Sequence, residues 1–394
     1  MAKFEPKISI IVPVRNADRT LKTTFEYLLN IDYPLDKMEI ILGDGGSTDK
    51  TVEIIKDFQK KHDFIKLVEV PNCKSPGHAR NAAIKIVTGD YVLFTDGDCA
   101  PNKDWAYQIV APFEKDAKIG GVGGEVLTLR VEPDNFTENY CEQVRFLSPV
   151  GRCGLTESGY MPTVSKWLPH EVNGGDYSPF FATANFCVSK KAIDAIGGEF
   201  WDEPTGEDVD FSLRIMRAGF VLYFSKESVI KHMHRVDMKS FKKQWYGYGY
   251  GHPLLISKHS DKKVLEFVIQ AGKKPGICFN IPWYRKGIIH IGNYHVMHSS
   301  FWSMWITLLL LVMFSLANVS VGVVDAAFLT LAFELFALIF VVFTARYFWP
   351  VLTLKPLSKF FTYARIRHAT NASFMKGAKD GQSKFGATCI EPSW

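Results

Sequence analysis

The sequence predicts an α/β domain with a mostly parallel sheet, followed by a helical hairpin in a membrane, on three observations. Short β-branched runs alternate with amphipathic helical stretches through roughly the first 230 residues. Carboxylates and glycines gather just past the ends of the runs "MEIIL" and "YVLFT". Residues 301–352 form one apolar tract whose only charges are Asp325, Glu334 and Arg346. A chain of 394 residues with a net charge of +5 admits two or three domains. Its near-zero mean hydropathy averages two unlike halves.

The elements follow in order. "ISIIV" (residues 8–12) is a β-branched strand stopped by Pro13, and "RTLKTTFEYLL" then places Leu21, Thr24, Phe25 and Leu28 at helical spacing. "MEIIL", the turn "GDGGSTD" and "KTVEIIKDFQKK" repeat the strand–helix pattern. "IKLVEV", a helix from about His78 to Val87, and the strand "YVLFT" continue it. Between residues 120 and 182 no periodicity emerges. "TANFCVSKKAIDAIGG" reads as strand then helix, and "GEDVDFSLRIMRAG" as a helix with Val209, Leu213 and Met216 on one face. Two short strands, "FVLYF" and "SVIKH", are expected next. In open sheets of this type ligands bind outside the carboxyl ends of the strands.

The apolar tract is about twice the roughly 20 residues a helix needs to cross a bilayer core. Asn318, Ser320 and Asp325 break it near the middle, so it reads as a hairpin with both ends on one side, flanked by Trp302, Trp305, Tyr347 and Trp349. Residues 231–300 carry 12 Lys/Arg against 3 Asp/Glu, and Lys355, Lys359, Arg365 and Arg367 follow the tract. By the positive-inside tendency both flanks, and the N-terminal domain with them, are expected in the cytoplasm of a multi-pass cell-membrane protein. "MAKFEPKISIIVPV" runs into a strand too soon for a signal peptide. Cys73, Cys99, Cys141, Cys153, Cys187, Cys278 and Cys389 show no paired metal spacing.

Asp96 and Asp98 end the run "YVLFT" with one glycine between them. Unpaired, two such carboxylates raise each other's pKa; a divalent cation removes the conflict, and Mg²⁺ or Mn²⁺ takes oxygen ligands completed by phosphate. Gly97 is expected to permit the curl that lets both acids converge; a hydrated turn is the plain alternative. In "GDGGSTDKT", turn and cap chemistry suffices for Ser47, Thr48 and Asp49 and leaves Asp44 unexplained. "GEDVD" begins a helix with three acids, more than a helix dipole requires.

Together "SIIVPVRN", "GDGGSTDKT", "GHARNAAI", "GDYVLFTDGDC", "TANFCVSKKAIDAIGGEF" and "GEDVDFSLRIMRAG" resemble the successive blocks of the inverting family 2 glycosyltransferases, over about residues 6–250. The resemblance implies a GT-A fold, the Rossmann-like nucleotide-diphospho-sugar transferase domain, here with a C-terminal transmembrane hairpin. It implies that Pro13 and Asp44 contact the nucleotide base and ribose, and that Arg80 approaches the base or phosphates. Asp96 would lie nearest the ribose, and Asp98 would ligate Mg²⁺ or Mn²⁺ and bridge to the diphosphate. Asp208 matches the catalytic base, with Glu207 beside it orienting acceptor or base. His232 in "VIKHMHR" matches a histidine that completes the metal shell, with His234 the competing choice. Two departures stand out. The common "DDGS" is here Asp44-Gly45-Gly46-Ser47, and the processive signature "QxxRW" is replaced by "FKKQWYGYGYGH". Gln244 and Trp245 are then expected to border an acceptor groove without polymerisation, while "GYGYG" also reads as a flexible interfacial segment.

The implied activity is a metal-dependent, inverting, non-processive transfer of a sugar from a nucleotide diphosphate sugar to an acceptor hydroxyl. The acceptor is expected to be lipid-linked or membrane-proximal, with membrane lipids as partners and no nucleic acid. A nucleotidyltransferase and a membrane-tethered nucleotide-sugar-binding protein without turnover are the alternatives. The expected division is a catalytic domain over 1–235, a basic, aromatic membrane-proximal segment over 236–300, two transmembrane helices over 301–352 and a cytoplasmic basic tail over 353–394.

Overall fold

The computed structural model describes residues 4–150, 155–161, 180–260, 263–269, 277–316 and 323–390. Strands β1 (Ile8–Val14), β2 (Met38–Asp44), β3 (Ile65–Glu69) and β4 (Tyr91–Phe94) run parallel in the order β3-β2-β1-β4. The crossovers carry helices α1 (Leu21–Leu28), α2 (Thr51–Gln59) and α3 (Pro76–Ile84). Both faces of β1 are covered, which explains its unbroken apolar run: Ile8, Ile10 and Val12 join one cluster with Leu21 and Phe25, and Ile11 joins another with Ala83 and Phe211.

After β4 come β5 (Cys99–Pro101), α4 (Trp105–Lys115), β6 (Ile119–Leu129) and α5 (Phe136–Val144). The domain continues with β7 (Gly159–Tyr160), β8 (Phe186–Ser189), α6 (Lys190–Ala195), α7 (Glu207–Arg217) and β9 (Val221–Met233). The sheet extends from β4 through β8, β6 and β9 to β5. β8 is antiparallel to both its neighbours, and β9 is parallel to β6. The mixed α/β sheet agrees with the expected fold class.

Two sequence expectations need correction. The strands expected at "FVLYF" and "SVIKH" are one strand, Val221–Met233. Exposed Lys226 and Glu227 broke the apolar pattern, and the register against β6 slips there, from Gly124 opposite Ser225 to Glu125 opposite Val229. The stretch after residue 120, which showed no periodicity, begins with β6. Its glycines leave room for rings on neighbouring elements: a Cβ at Gly123 would lie 2.0 Å from Phe181, and one at Gly120 2.5 Å from Phe220. With glycine at four of the six positions 119–124, the strand shows no apolar alternation. Residues 151–154 and 162–179, part of the stretch that showed no periodicity, lie outside the described residues.

The C-terminal half comprises α8 (Met238–His259), a small sheet of β10 (Val264–Ile269), β11 (Ile277–Pro282) and β12 (Gly287–Ile291), and helices α9 (Asn293–Leu316) and α10 (Val323–Leu352). Helix α11 (Phe360–Phe385) and β13 (Thr388–Ile390) complete it, β13 pairing with β12. Two windows, Asn293–Met313 and Ala327–Leu352, are long and apolar enough to cross a membrane. The first helix begins eight residues before the tract read from the sequence, because the polar turn of "NYHVMHSS" is helical too. Asn318 and Ser320, expected to break the hairpin, lie outside the described residues.

The stretch expected as a basic tail is helical and packs on α8. "GYGYG", read as a flexible segment, lies within α8, where its glycines serve close approach: a Cβ on Gly249 would lie 2.0 Å from the Phe374 carbonyl oxygen, and one on Gly377 2.0 Å from that of Tyr246. Missing side chains, not conformational freedom, are what this crossing uses. Gly249→Ala is therefore expected to destabilise the full chain by about 1–3 kcal/mol through overpacking. Gly247→Ala, with nothing within 4 Å of its added carbon, should be neutral or stabilising. Thermal unfolding of the two variants in one detergent separates these outcomes.

Candidate active site

Three chain segments meet at the carboxyl edge of the parallel strands. The first is α3. Ser75 caps it, accepting from His78 N at 3.0 Å and donating to Asp202 Oδ1 at 2.8 Å. Gly77 is small enough for the Trp201 carbonyl, which would be 2.7 Å from any added Cβ. Asn81 bonds both backbone groups of Phe200, donating to its oxygen at 2.8 Å and accepting from its nitrogen at 2.7 Å. The block "GHARN" thus fastens α3 to the loop before α7 and points Arg80 at that helix.

Arg80 is buried, with 3% of its side chain exposed. One Nη donates to Asp96 Oδ1 at 2.8 Å and the other to Glu207 Oε1 at 2.9 Å, and the guanidinium stands 5.7 Å over the Phe200 ring. The resemblance assigned Arg80 to the nucleotide base or phosphates; here both its Nη groups are spent on carboxylates. A planar fork suits two separated acids in a way a single ammonium does not.

The second segment is the turn Asp96-Gly97-Asp98. Gly97 is not among the left-handed glycines, so its use is space, not the freedom to curl expected from the sequence: an added Cβ would lie 2.9 Å from Val14 Cγ1. Thr20 Oγ1 donates to the Gly97 carbonyl at 2.7 Å and holds the turn from α1. Antiparallel pairing sets Cys99 opposite His232, and Met233 N donates to the Asp98 carbonyl at 2.9 Å. Asp96, Asp98, Cys99 and His232 consequently offer ligand atoms within 4.8 Å of one another.

The donor set fits a divalent cation. Asp98 Oδ1 is buried, has no hydrogen-bond partner and lies 3.4 Å from His232 Nε2. Burial raises the Asp98 carboxyl above the ordinary range and Asp96 adds to this, while His232 and Arg235 oppose it. His232 Nδ1 is likewise buried without a partner. His234, the competing choice, turns to Thr128 Oγ1 at 2.9 Å, and burial first, then His232 and Arg235, hold its imidazole down at about 3. Cys99, read in the sequence only as one of seven cysteines without paired metal spacing, joins this cluster; burial pushes its thiol up, keeping it protonated.

The third segment is the start of α7. Gly206, at φ 79°, turns the chain into the helix, and Glu207 and Asp208 fill its first turn. Asp210 is not part of the site surface: it is buried between Arg214 Nε at 2.8 Å and His259 Nε2 at 3.0 Å. Arg217 Nη1 donates to His259 Nδ1 at 2.8 Å, so His259 carries its proton on Nε2 and gives it to Asp210.

Asp44 and Pro13 lie at the ends of paired strands, Pro13 opposite Gly43 and Val14 opposite Asp44. The turn does explain Asp44, contrary to the sequence reading: its Oδ2 accepts from Gly46 N at 3.0 Å and Ser47 N at 3.1 Å, and its Oδ1 accepts from Ser47 Oγ. Asn16, left-handed at φ 52°, ties this turn to the first loop by accepting from Thr48 N at 2.8 Å. Gln244 donates to Tyr248 OH at 3.1 Å, and Trp245 packs against Phe146 and Phe241. Tyr248 is raised by burial and then by the nearby charge of Asp208, against the Gln244 bond. Its position four residues after Gln244, one turn along the same helix face, was the signal for it.

The chain is similar to known proteins over both of its halves. The model described as glycosyl transferase family 2 matches residues 9–138, and that described as glycosyl transferase family group 2 matches residues 155–353. "Probable glycosyltransferase YdaM" of Bacillus subtilis is 28% identical over 227 residues, 56% of this chain, and the chain spans about half (49%) of that relative's length. The dolichyl N-acetyl-α-D-glucosaminyl phosphate 3-β-D-2,3-diacetamido-2,3-dideoxy-β-D-glucuronosyltransferase of Methanococcus voltae is 28% identical over 259 residues, 64% of this chain and 74% of that one. Among solved structures, the mannosyltransferase PcManGT from Pyrobaculum calidifontis, in complex with GDP-Man and Mn²⁺, is 16% identical. The match covers 97% of this chain and 88% of that one at a TM-score of 0.49. With the second family model alone spanning half of its length, the chain belongs to the family 2 glycosyltransferases.

Proposed function

We propose that this chain transfers one sugar, with inversion, from a nucleotide diphosphate sugar to a hydroxyl of a lipid-linked or membrane-proximal acceptor, using Mg²⁺ or Mn²⁺. The observation that carries the reading is the pair of acidic centres joined by Arg80: the half-buried Asp96–Asp98–His232 donor set on one side and Glu207, followed by Asp208, on the other. Asp98 and His232, with Asp96 beside them, would hold the cation. When bound, the cation supplies positive charge against a diphosphate leaving group. Asp208 accepts the proton of the acceptor hydroxyl as that oxygen attacks the anomeric carbon from the face opposite the diphosphate. Glu207, fixed by Arg80, keeps the helix start in place while the neighbouring carboxylate works. Asp44 and Pro13 line the nucleotide end, and Gln244, Trp245 and Tyr248 the acceptor side.

The lipid-linked acceptor is supported by the two candidate spans and by the Methanococcus voltae relative, whose own name specifies a dolichyl phosphate-linked sugar. The basic excess on both flanks of the spans supports a cytoplasmic catalytic domain over 1–235, joined through 236–300 to the spans and followed by the 353–394 segment.

Asp208→Asn is expected to keep Mn²⁺-dependent nucleotide binding and lose about 10²–10⁴-fold in transfer rate. Single-turnover transfer from radiolabelled UDP- and GDP-sugars into membrane lipid extract measures the loss; a wild-type rate would remove Asp208 from the role of base. Asp98→Ala is expected to abolish the Mn²⁺ dependence of nucleotide binding, read by titration calorimetry with and without the metal. Unchanged metal-dependent affinity would place the cation elsewhere. Nucleotide-sugar binding without turnover in the unaltered chain would favour the binding-protein alternative.

A further inference from the structure

The second candidate span does not simply end at Leu352; it is welded to the catalytic domain. Val351 and Leu354, at its end, share one apolar cluster with Tyr140 and Cys141 of α5 and with Tyr363 and Ile366 of α11. Gln143 of α5 holds both backbone groups of Lys355: its Nε2 donates to the Lys355 oxygen at 2.6 Å, and its Oε1 accepts from the Lys355 nitrogen. The same Nε2 lies 3.2 Å from Tyr363 OH. One end of α5 is thereby fixed at the depth where the chain leaves the membrane.

Around this joint, large apolar side chains face outward. Phe361 is 83% exposed, although Tyr363, Ala364 and Ile366 in the same helix are buried, and Leu357, in the turn before that helix, is 56% exposed. The first turn of α11 therefore presents apolar groups on the side a water-facing helix fills with charge. Across from it, Phe136 is 50% exposed and Val131 56%. The two sides are neighbours: Lys359 Nζ stands 5.0 Å over the Phe136 ring. A depression of about 860 Å³ between them mixes apolar and charged side chains, Val131, Phe136 and Val236 with Glu132, Asp134 and Arg365. Trp349 and Leu352, exposed at the end of the span, continue the patch into the span itself. Lys355 and Lys359 stand within it, long basic chains suited to lipid phosphates.

The geometry points to a membrane footprint on the catalytic domain: the corner formed by Val131 and Phe136 lies in the lipid interface together with Leu357 and Phe361, with Lys355 and Lys359 on headgroup phosphates. This rests on the reading of 293–352 as membrane-spanning and gives it a consequence that a simple tether lacks. A domain held only by a flexible linker would sample many heights, whereas this one is seated with α5 against the bilayer. The patch is continuous with the span, which argues for lipid as its occupant over a protein partner.

The test is photocrosslinking of the full chain in nanodiscs of phosphatidylethanolamine and phosphatidylglycerol. Benzoylphenylalanine replaces Phe136, Phe361, Leu338 as a mid-span control, or Tyr160 as an exposed control in the catalytic domain. The footprint predicts lipid adducts at 136 and 361 in yields near that at 338, with 160 at background. Labelling at 338 and 361 with 136 at background would overturn the footprint and leave the spans intact. Background at 338 as well would overturn the membrane reading and the footprint with it. An adduct from 136 to protein in place of lipid would also refute it. Because the readout is covalent labelling, none of these outcomes depends on transferase activity.

Discussion

The arrangement depends on one buried charge. Arg80 sits where water does not screen it, between Asp96 on the turn after β4 and Glu207 at the start of α7. Burying a guanidinium is tolerable only when it is paired with good geometry, and here each Nη group has a carboxylate of its own. The two carboxylates belong to segments separated by more than a hundred residues, and one cation holds them at a fixed separation. The neighbours of the two partners, Asp98 with His232 and Asp208 with Tyr248, inherit that separation. A transferase that must place a leaving group and a base on opposite sides of one carbon needs this kind of spacing.

Much of the strand–helix half was legible because its physics is local. β1 to β4 and their helices follow from apolar period and turn residues, and both faces of β1 are buried, as its unbroken run implied. The acids at the strand ends and at "GED" were visible as excess charge without a structural use. What the sequence hid was pairing. Arg80 read as a ligand contact because nothing in "GHARN" announces two acids waiting for it, and Asp44 read as unexplained because its donors, Gly46 N and Ser47 N, are backbone groups. β6 escaped notice because its glycines accommodate phenylalanines from elsewhere in the chain, a complementarity that exists only in three dimensions.

The C-terminal half inverts the usual meaning of glycine. "GYGYG" suggests mobility in isolation, yet Gly249 and Gly377 bring two helix backbones together, and α11 covers α8 in place of trailing away as a tail. That packing, the Asp210–His259 contact and the Gln143–Lys355 clasp connect the two candidate spans to the helix that begins with Glu207 and Asp208. The position of the α7 start relative to the candidate spans then follows from the fold.

The fork of Arg80, and not merely its positive charge, unites the two acidic centres. The most direct measurement is transfer by Arg80→Lys in the full chain, alongside its thermal unfolding and Mn²⁺-dependent nucleotide binding. Arg80→Lys is expected to fold, to bind nucleotide still and to lose about a hundredfold or more in rate, because one ammonium does not hold both carboxylates in position. A wild-type rate in Arg80→Lys would show that charge alone suffices and would contradict the account.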